Sequence, residues 1–124
     1  PSDAEWTTLE NYLIASGYNY DQTTTGNKIA KAMASNTGWN SSTEAGAPGK
    51  DQSLNNSSGF NAFPEGNRFT YGQFVNEGNN AVFWSSTEYN ANNALYRNLY
   101  NIYSILNSSY SGKRFGFSVR FVRD

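Results

Sequence analysis

Apolar residues near the start of the chain recur at helical spacing. Trp6, Leu9 and Leu13 lie three and four positions apart, with Tyr12 beside them. Ser2-Asp3-Ala4-Glu5 precedes them as a capping box, in which Ser2 and Glu5 satisfy each other's amides. The pattern predicts a helix over residues 3–16, stopped at Gly17, with Trp6, Leu9 and Leu13 in the core. Ile29, Ala30, Ala32, Met33 and Ala34 predict a second, shorter helix over residues 27–35, ended by Gly38 and Trp39. Residues 40–66 have little period and hold Gly46, Pro48, Gly49, Gly59, Pro64 and Gly66. An irregular stretch of that length is usually a functional or specially packed loop. Phe60 and Phe63 are expected to pin it to the core. Residues 68–71 and 73–75, split by Gly72, predict a small hairpin. Ala81-Val82-Phe83-Trp84 reads as a buried strand with Trp84 packed inward, and residues 94–106, rich in Tyr, Ile and Leu, as another. Phe115, Phe117, Val119 and Phe121 alternate with Gly116, Ser118, Arg120 and Val122, which predicts a closing strand. The class is α+β: two helices near the N-terminus, a long irregular loop, and an antiparallel sheet towards the C-terminus. No internal repeat or composition break divides the chain, so residues 1–124 are read as one domain.

Composition narrows the chemistry. The chain has 9 Lys+Arg against 10 Asp+Glu, a formal net charge of −1, no Cys and no His. A nucleic-acid binder needs a basic surplus, and Lys113, Arg114, Arg120 and Arg123 are too few to supply one. Without Cys there are no disulfides, thiolate metal sites or cysteine nucleophiles; without His the commonest general base is missing. Ser85-Ser86-Thr87-Glu88 therefore has no partner to activate a hydroxyl. Glu44 with Asp51, and Glu65 with Glu77, are carboxylate pairs on paper, but nothing in the sequence positions them for acid–base work or for calcium. We expect no catalysis, no cofactor and no functional metal site, with a structural ion left open. No run approaches about 20 apolar residues, so membrane insertion is not expected. No signal segment is visible, and Pro1-Ser2-Asp3 already opens a helix, as a fragment of a longer polypeptide would. The Asn-X-Ser matches arise from composition alone.

What remains is an unusual polar vocabulary: 18 Asn, 15 Ser and 9 Thr beside 20 aromatic residues. Disordered chains are poor in aromatics, so this one folds. Residues 89–112 read YNANNALYRNLYNIYSILNSSYSG, with Arg97 the only charged side chain. A solvated face normally carries Lys and Glu. Tyr, Asn and Ser are instead the vocabulary of binding loops: Tyr gives stiff amphipathic contact area, and Asn and Ser give adaptable hydrogen bonds. The competing reading is that these tyrosines cover the core, with hydroxyls reaching water.

The strings PSDAEWTTLENYL, SGFNAFPEGNR, FWSSTEY and GFSVRFVRD resemble, in order and from Pro1 to Asp124, the Fibrobacter succinogenes major paralogous domain. The resemblance implies a fold similar to C-type lectins and sulfatase-modifying factors. It also implies an extracellular setting, on a bacterial surface or a phage particle. The pattern is similar, more narrowly, to the variable proteins of diversity-generating retroelements. There an FWSSTEY-like strand precedes, and a GFSVR-like strand follows, a stretch in which adenines of Asn codons are randomised. On that resemblance Asn98, Asn101 and Asn107 are unmutated template residues. Leu95, Tyr100, Ile102, Tyr103, Ile105, Ser109, Tyr110, Ser111, Gly112 and Phe115 are reachable from an Asn codon by adenine changes, and Arg97, Leu99, Lys113, Gly116 and Phe117 are framework. The family's Cys pair is missing, with Phe121 where the second would stand, so the scaffold forgoes the ~2–4 kcal/mol a bridge typically contributes. The family's upstream strand is missing too, which places residues 115–123 at a sheet edge or against another chain.

The resulting expectation is a non-enzymatic module that binds a protein or glycan ligand on a cell surface through residues 95–115. Tyr100, Tyr103 and Tyr110 would be anchors, and Asn98, Asn101 and Asn107 adaptable contacts. The alternative is a structural surface or adhesin subunit that packs the same face on a neighbour. The related oxidase-type chemistry needs cysteines and is set aside.

Overall fold

Ser2 opens the first helix as its sequence dictates. Its hydroxyl accepts from the Glu5 amide at 3.3 Å, and Glu5 accepts from the Ser2 amide at 2.7 Å. In the computed structural model, which describes residues 1–123, this helix is α1 (Asp3–Ala15). Trp6 and Leu13 are buried, and Leu9 packs at the edge of the core. Trp6 meets Phe60 and Phe83 at ring separations of 5.8 and 5.9 Å, so one helix face, one loop residue and one strand share a centre.

The second helix is a single turn, α2 (Ala30–Met33), shorter than its apolar pattern predicts. The reason is that neighbouring backbone groups have tertiary partners. The Lys28 amide donates to Asn19 Oδ1, the Ala30 amide to the Ser104 carbonyl, and the Ser35 amide to the Ala62 carbonyl. Asn27 pins the approach: its Nδ2 donates to Glu10 and to the Leu106 carbonyl, and its Oδ1 accepts from the Leu106 amide. Ile29, Ala30, Met33 and Ala34 still reach the core.

Residues 40–66 carry one 3-10 turn, Gln52–Leu54, and are closed by carboxamides in place of a hydrogen-bond ladder. Asn55 Nδ2 donates to the Ser35 and Pro48 carbonyls at 2.8 and 3.0 Å. Gln52 bonds both backbone groups of Trp39, at 2.7 and 3.0 Å. Lys31 Nζ donates to the Lys50 and Asp51 carbonyls and to Asn55 Oδ1; burial lowers its pKa. Upstream, Lys28 and then Thr23 bond Asp21 and hold its carboxyl at about 2. Phe60 is pinned to the core as expected, but Phe63 is exposed.

The hairpin is β1 (Asn67–Arg68) against β2 (Phe74–Val75). The main sheet is antiparallel, in the order β3 (Asn80–Asn90), β4 (Asn93–Tyr100), β5 (Asn107–Gly112). Two strand expectations change. Residues 94–106 are not one strand: β4 ends at Tyr100, residues 101–106 turn, and β5 returns. Residues 115–123 form no extended strand. Gly116 bridges Arg68 through two bonds of 2.8 Å, and Ser118 bridges β3 through the Val82 carbonyl and the Trp84 amide. The next donor along that edge, the Ser86 amide, is taken by the Pro1 carbonyl, so the ladder stops. Beyond it Arg120 lies 4.4 Å over the Phe60 ring and donates to the Phe60 carbonyl, while Val119 and Phe121 are exposed.

Alternation along β4 separates two faces. Ala81, Phe83, Arg97 and Leu99 face α1 and the core. Arg97 is 2% exposed and pairs with Asp3; its Nη2 donates to Thr7 Oγ1 at 3.1 Å, and Glu10 stands 4.0 Å from its Nε. Asn80, Val82, Trp84, Tyr96, Asn98 and Tyr100 point the other way, where no helix covers them. Trp84, expected inward, belongs to this second face and packs on Phe117 at 4.3 Å.

Candidate functional site

The register places Tyr96 opposite Ser109, Asn98 opposite Asn107 and Ala94 opposite Ser111. These residues, with Tyr100, make an uncharged strip across β4 and β5. Phe115 and Phe117 close one side of it. Phe117 meets Tyr96 edge-on at 5.1 Å, and Phe115 extends the aromatic row to Phe69 at 5.7 Å. Between them lies a hollow of about 170 Å³, lined by Asn67, Asn76, Asn80, Val82, Tyr96, Asn98, Tyr100, Phe115 and Phe117. Among the described residues, no charged side chain lines it.

The turn after β4 carries the second half of the site. Ile102, Tyr103 and Ile105 are exposed, and Tyr103 stands edge-on to Tyr100 at 5.6 Å. Ile102 and Tyr103 face residues 41–44 across an open hollow of about 590 Å³ that includes Glu44. Three bonds seat the start of the turn at Asn101. The Asn101 amide donates to the Asn79 carbonyl at 2.9 Å, the Gly49 amide donates to the Asn101 carbonyl at 2.9 Å, and Asn101 Nδ2 reaches the Asn40 carbonyl at 3.3 Å. Gly49 is required there, because a Cβ would stand 2.2 Å from the Asn40 carbonyl oxygen.

The sequence-predicted residues thus fall into three groups. Asn98, Tyr100, Asn107, Ser109, Ser111 and Phe115 share the open face, with Gly112 at its end beside Phe115. Asn101, Ile102, Tyr103 and Ile105 share the turn next to it. Leu95 and Tyr110 pair with each other on the opposite side, the side of Arg97. Tyr110, expected as an anchor beside Tyr100, instead stacks on Tyr89 at 4.0 Å with rings 5° from parallel. Asn98 and Asn101, expected as adaptable contacts, are buried at 1% and 9% exposure and already bonded, Asn98 Oδ1 to Asn107 and Asn101 to Asn40. Asn98 is enclosed on the open face by its strand partners Val82 and Asn107 and the rings that line the hollow, and the seating of the turn explains Asn101. Tyr96 was missed. Its signal was its parity with Asn98 and Tyr100 along β4, which needs the strand to be known first.

Among the described residues, no group of three or more Asp, Glu, His or Cys side chains could hold a metal ion, and no helix is long and apolar enough to cross a membrane. No curated protein matches the chain, and no solved structure does. One family model matches, that of the Fibrobacter succinogenes major domain, over residues 1–123. With the matched residues running from the capping box of α1 through the sheet to the segment after β5, the chain belongs to the Fibrobacter succinogenes major domain family.

Proposed function

We propose that this domain is a non-enzymatic recognition module, with a C-type-lectin-like scaffold that presents the open face of β4–β5 and the 101–106 turn to a ligand outside the cell. One observation carries the reading. Of the thirteen positions that the resemblance assigns to this surface, from Leu95 to Phe115, all but Asn98 and Asn101 are at least partly open to solvent, and Ile102, Tyr103 and Ile105 stand exposed together on one turn. A turn meant only to close the sheet has no need of three large apolar side chains in water. This exposure supports a displayed surface of the type used by diversity-generating retroelement proteins, on a bacterial surface or phage particle. A near-copy of this coding segment, differing only at adenines and lying beside a reverse transcriptase gene, is the genomic counterpart of that reading.

Anchors identified this way have a simple signature. Tyr103→Ala removes an exposed ring from the rim of the larger hollow. Binding to a ligand selected on the intact chain should weaken at least tenfold, the loss of one aromatic hot spot, while the unfolding midpoint moves little. Calorimetric titration and thermal unfolding of the same two proteins check it. Loss of folding with loss of binding would make Tyr103 structural and defeat the assignment.

A further inference from the structure

We infer that the asparagine-ringed hollow on the open face takes one sugar ring of an uncharged glycan. The inference rests on the recognition reading above and names the ligand for one part of that face. Asn67, Asn76, Asn80 and Asn98 stand around the hollow with unspent capacity. Asn76 Nδ2 donates to Asn67 Oδ1, and Asn98 Oδ1 accepts from Asn107, both at 2.9 Å. Among the described residues no hydrogen bond uses Nδ2 of Asn98, Nδ2 of Asn67, Oδ1 of Asn76, or either side-chain atom of Asn80. Asn98 is 1% exposed, so its free amide donor is held at the hollow and nowhere else. An amide donor with no protein partner that opens onto a hollow is free to meet a ligand group there.

Carboxamides offer a donor and an acceptor side by side, which suits adjacent hydroxyls that both give and take hydrogen bonds. The aromatic walls, Tyr96 and Phe117 among them, suit the apolar C–H faces of a pyranose ring. An aliphatic peptide side chain would leave the carboxamides unpaired. A sugar acid or phosphate would lose its hydration with no cation to replace it. At about 170 Å³ the hollow is smaller than the roughly 300–1,000 Å³ of pockets that engulf a whole ligand, so it holds a single ring of a longer molecule.

Saturation-transfer NMR on the full chain tests this with the methyl glycosides of glucose, galactose, mannose and N-acetylglucosamine at millimolar concentration, and glucuronate as the charged control. At least one neutral glycoside should draw saturation and shift the side-chain amide signals of Asn80 and Asn98, and glucuronate should do neither. Asn80→Leu should weaken that glycoside about tenfold, the loss of two neutral hydrogen bonds. The amide shifts in the unsubstituted chain carry the test if the variant does not fold. No saturation from any neutral glycoside, or undiminished binding by a folded Asn80→Leu chain, overturns the proposal. A peptide-display selection on the same chain separates the two levels. Peptides whose binding is lost in Tyr100→Ala, with no glycoside bound, overturn the sugar and leave the recognition face standing; neither peptides nor glycosides overturns both.

Discussion

Arg97→Ala should cost about 3 kcal/mol of folding free energy and lower the unfolding midpoint by about 10 °C, while leaving the composition of the open face untouched. The guanidinium is almost fully enclosed between β4 and α1, where it pairs with Asp3, donates to Thr7 and stands near Glu10. Deleting it leaves a void and removes the cation from between two acidic residues. Asp3 and Glu10 keep 31% and 22% side-chain exposure, so water reaches both and the loss falls at the lower end of the range for broken buried pairs. Arg97→Met should recover part of the loss, because it refills the volume without a charge. Urea titrations of the three proteins decide the matter. Equal stability of the alanine variant and the parent would show that α1 is held to the sheet by its apolar face alone.

Gly49→Ala is expected to be the most damaging small substitution near the site. The added methyl would stand 2.2 Å from the Asn40 carbonyl oxygen and 2.8 Å from that of Asn101, and both are backbone atoms that cannot swing aside. The bond from the Gly49 amide to Asn101 must lengthen or break, and the seat of the 101–106 turn moves with it. We expect a loss of about 2–3 kcal/mol, the upper part of the usual overpacking range. Altered chemical shifts at Ile102, Tyr103 and Ile105 should accompany it. Gly59 is the control, since a Cβ there meets nothing within 4 Å. Gly59→Ala should leave those turn signals in place. Identical turn spectra in Gly49→Ala would refute the seating role.

The parts legible in the sequence were those whose signal is local. The capping box and the spacing of Trp6, Leu9 and Leu13 define α1, and the apolar run from Ala81 to Trp84 marks β3. The misread parts depended on partners far along the chain. Alternation after Phe115 is real, but a strand needs an open edge, and the Pro1 carbonyl occupies the donor the ladder would have used next. The 101–106 turn contains neither Gly nor Pro; it is fixed by the distant residues Asn79, Gly49 and Asn40 at Asn101, Ala30 at Ser104 and Asn27 at Leu106. The division of the tyrosines is a matter of register. Tyr100 and Tyr103 meet, Tyr110 lies across the sheet, and Tyr96 joins the face only once β4 is set against β3 and β5.

The two-sidedness of β4 also separates two evolutionary pressures. Arg97 and Leu99 lock the strand to the body of the protein, while Tyr96 and Tyr100 alternate with them and look outward. Side chains that alternate this way share few neighbours, and substitutions with no shared partners act nearly independently. On the recognition reading proposed above, specificity can therefore drift at Tyr96 and Tyr100 while the anchoring half of the strand goes on guaranteeing a folded molecule.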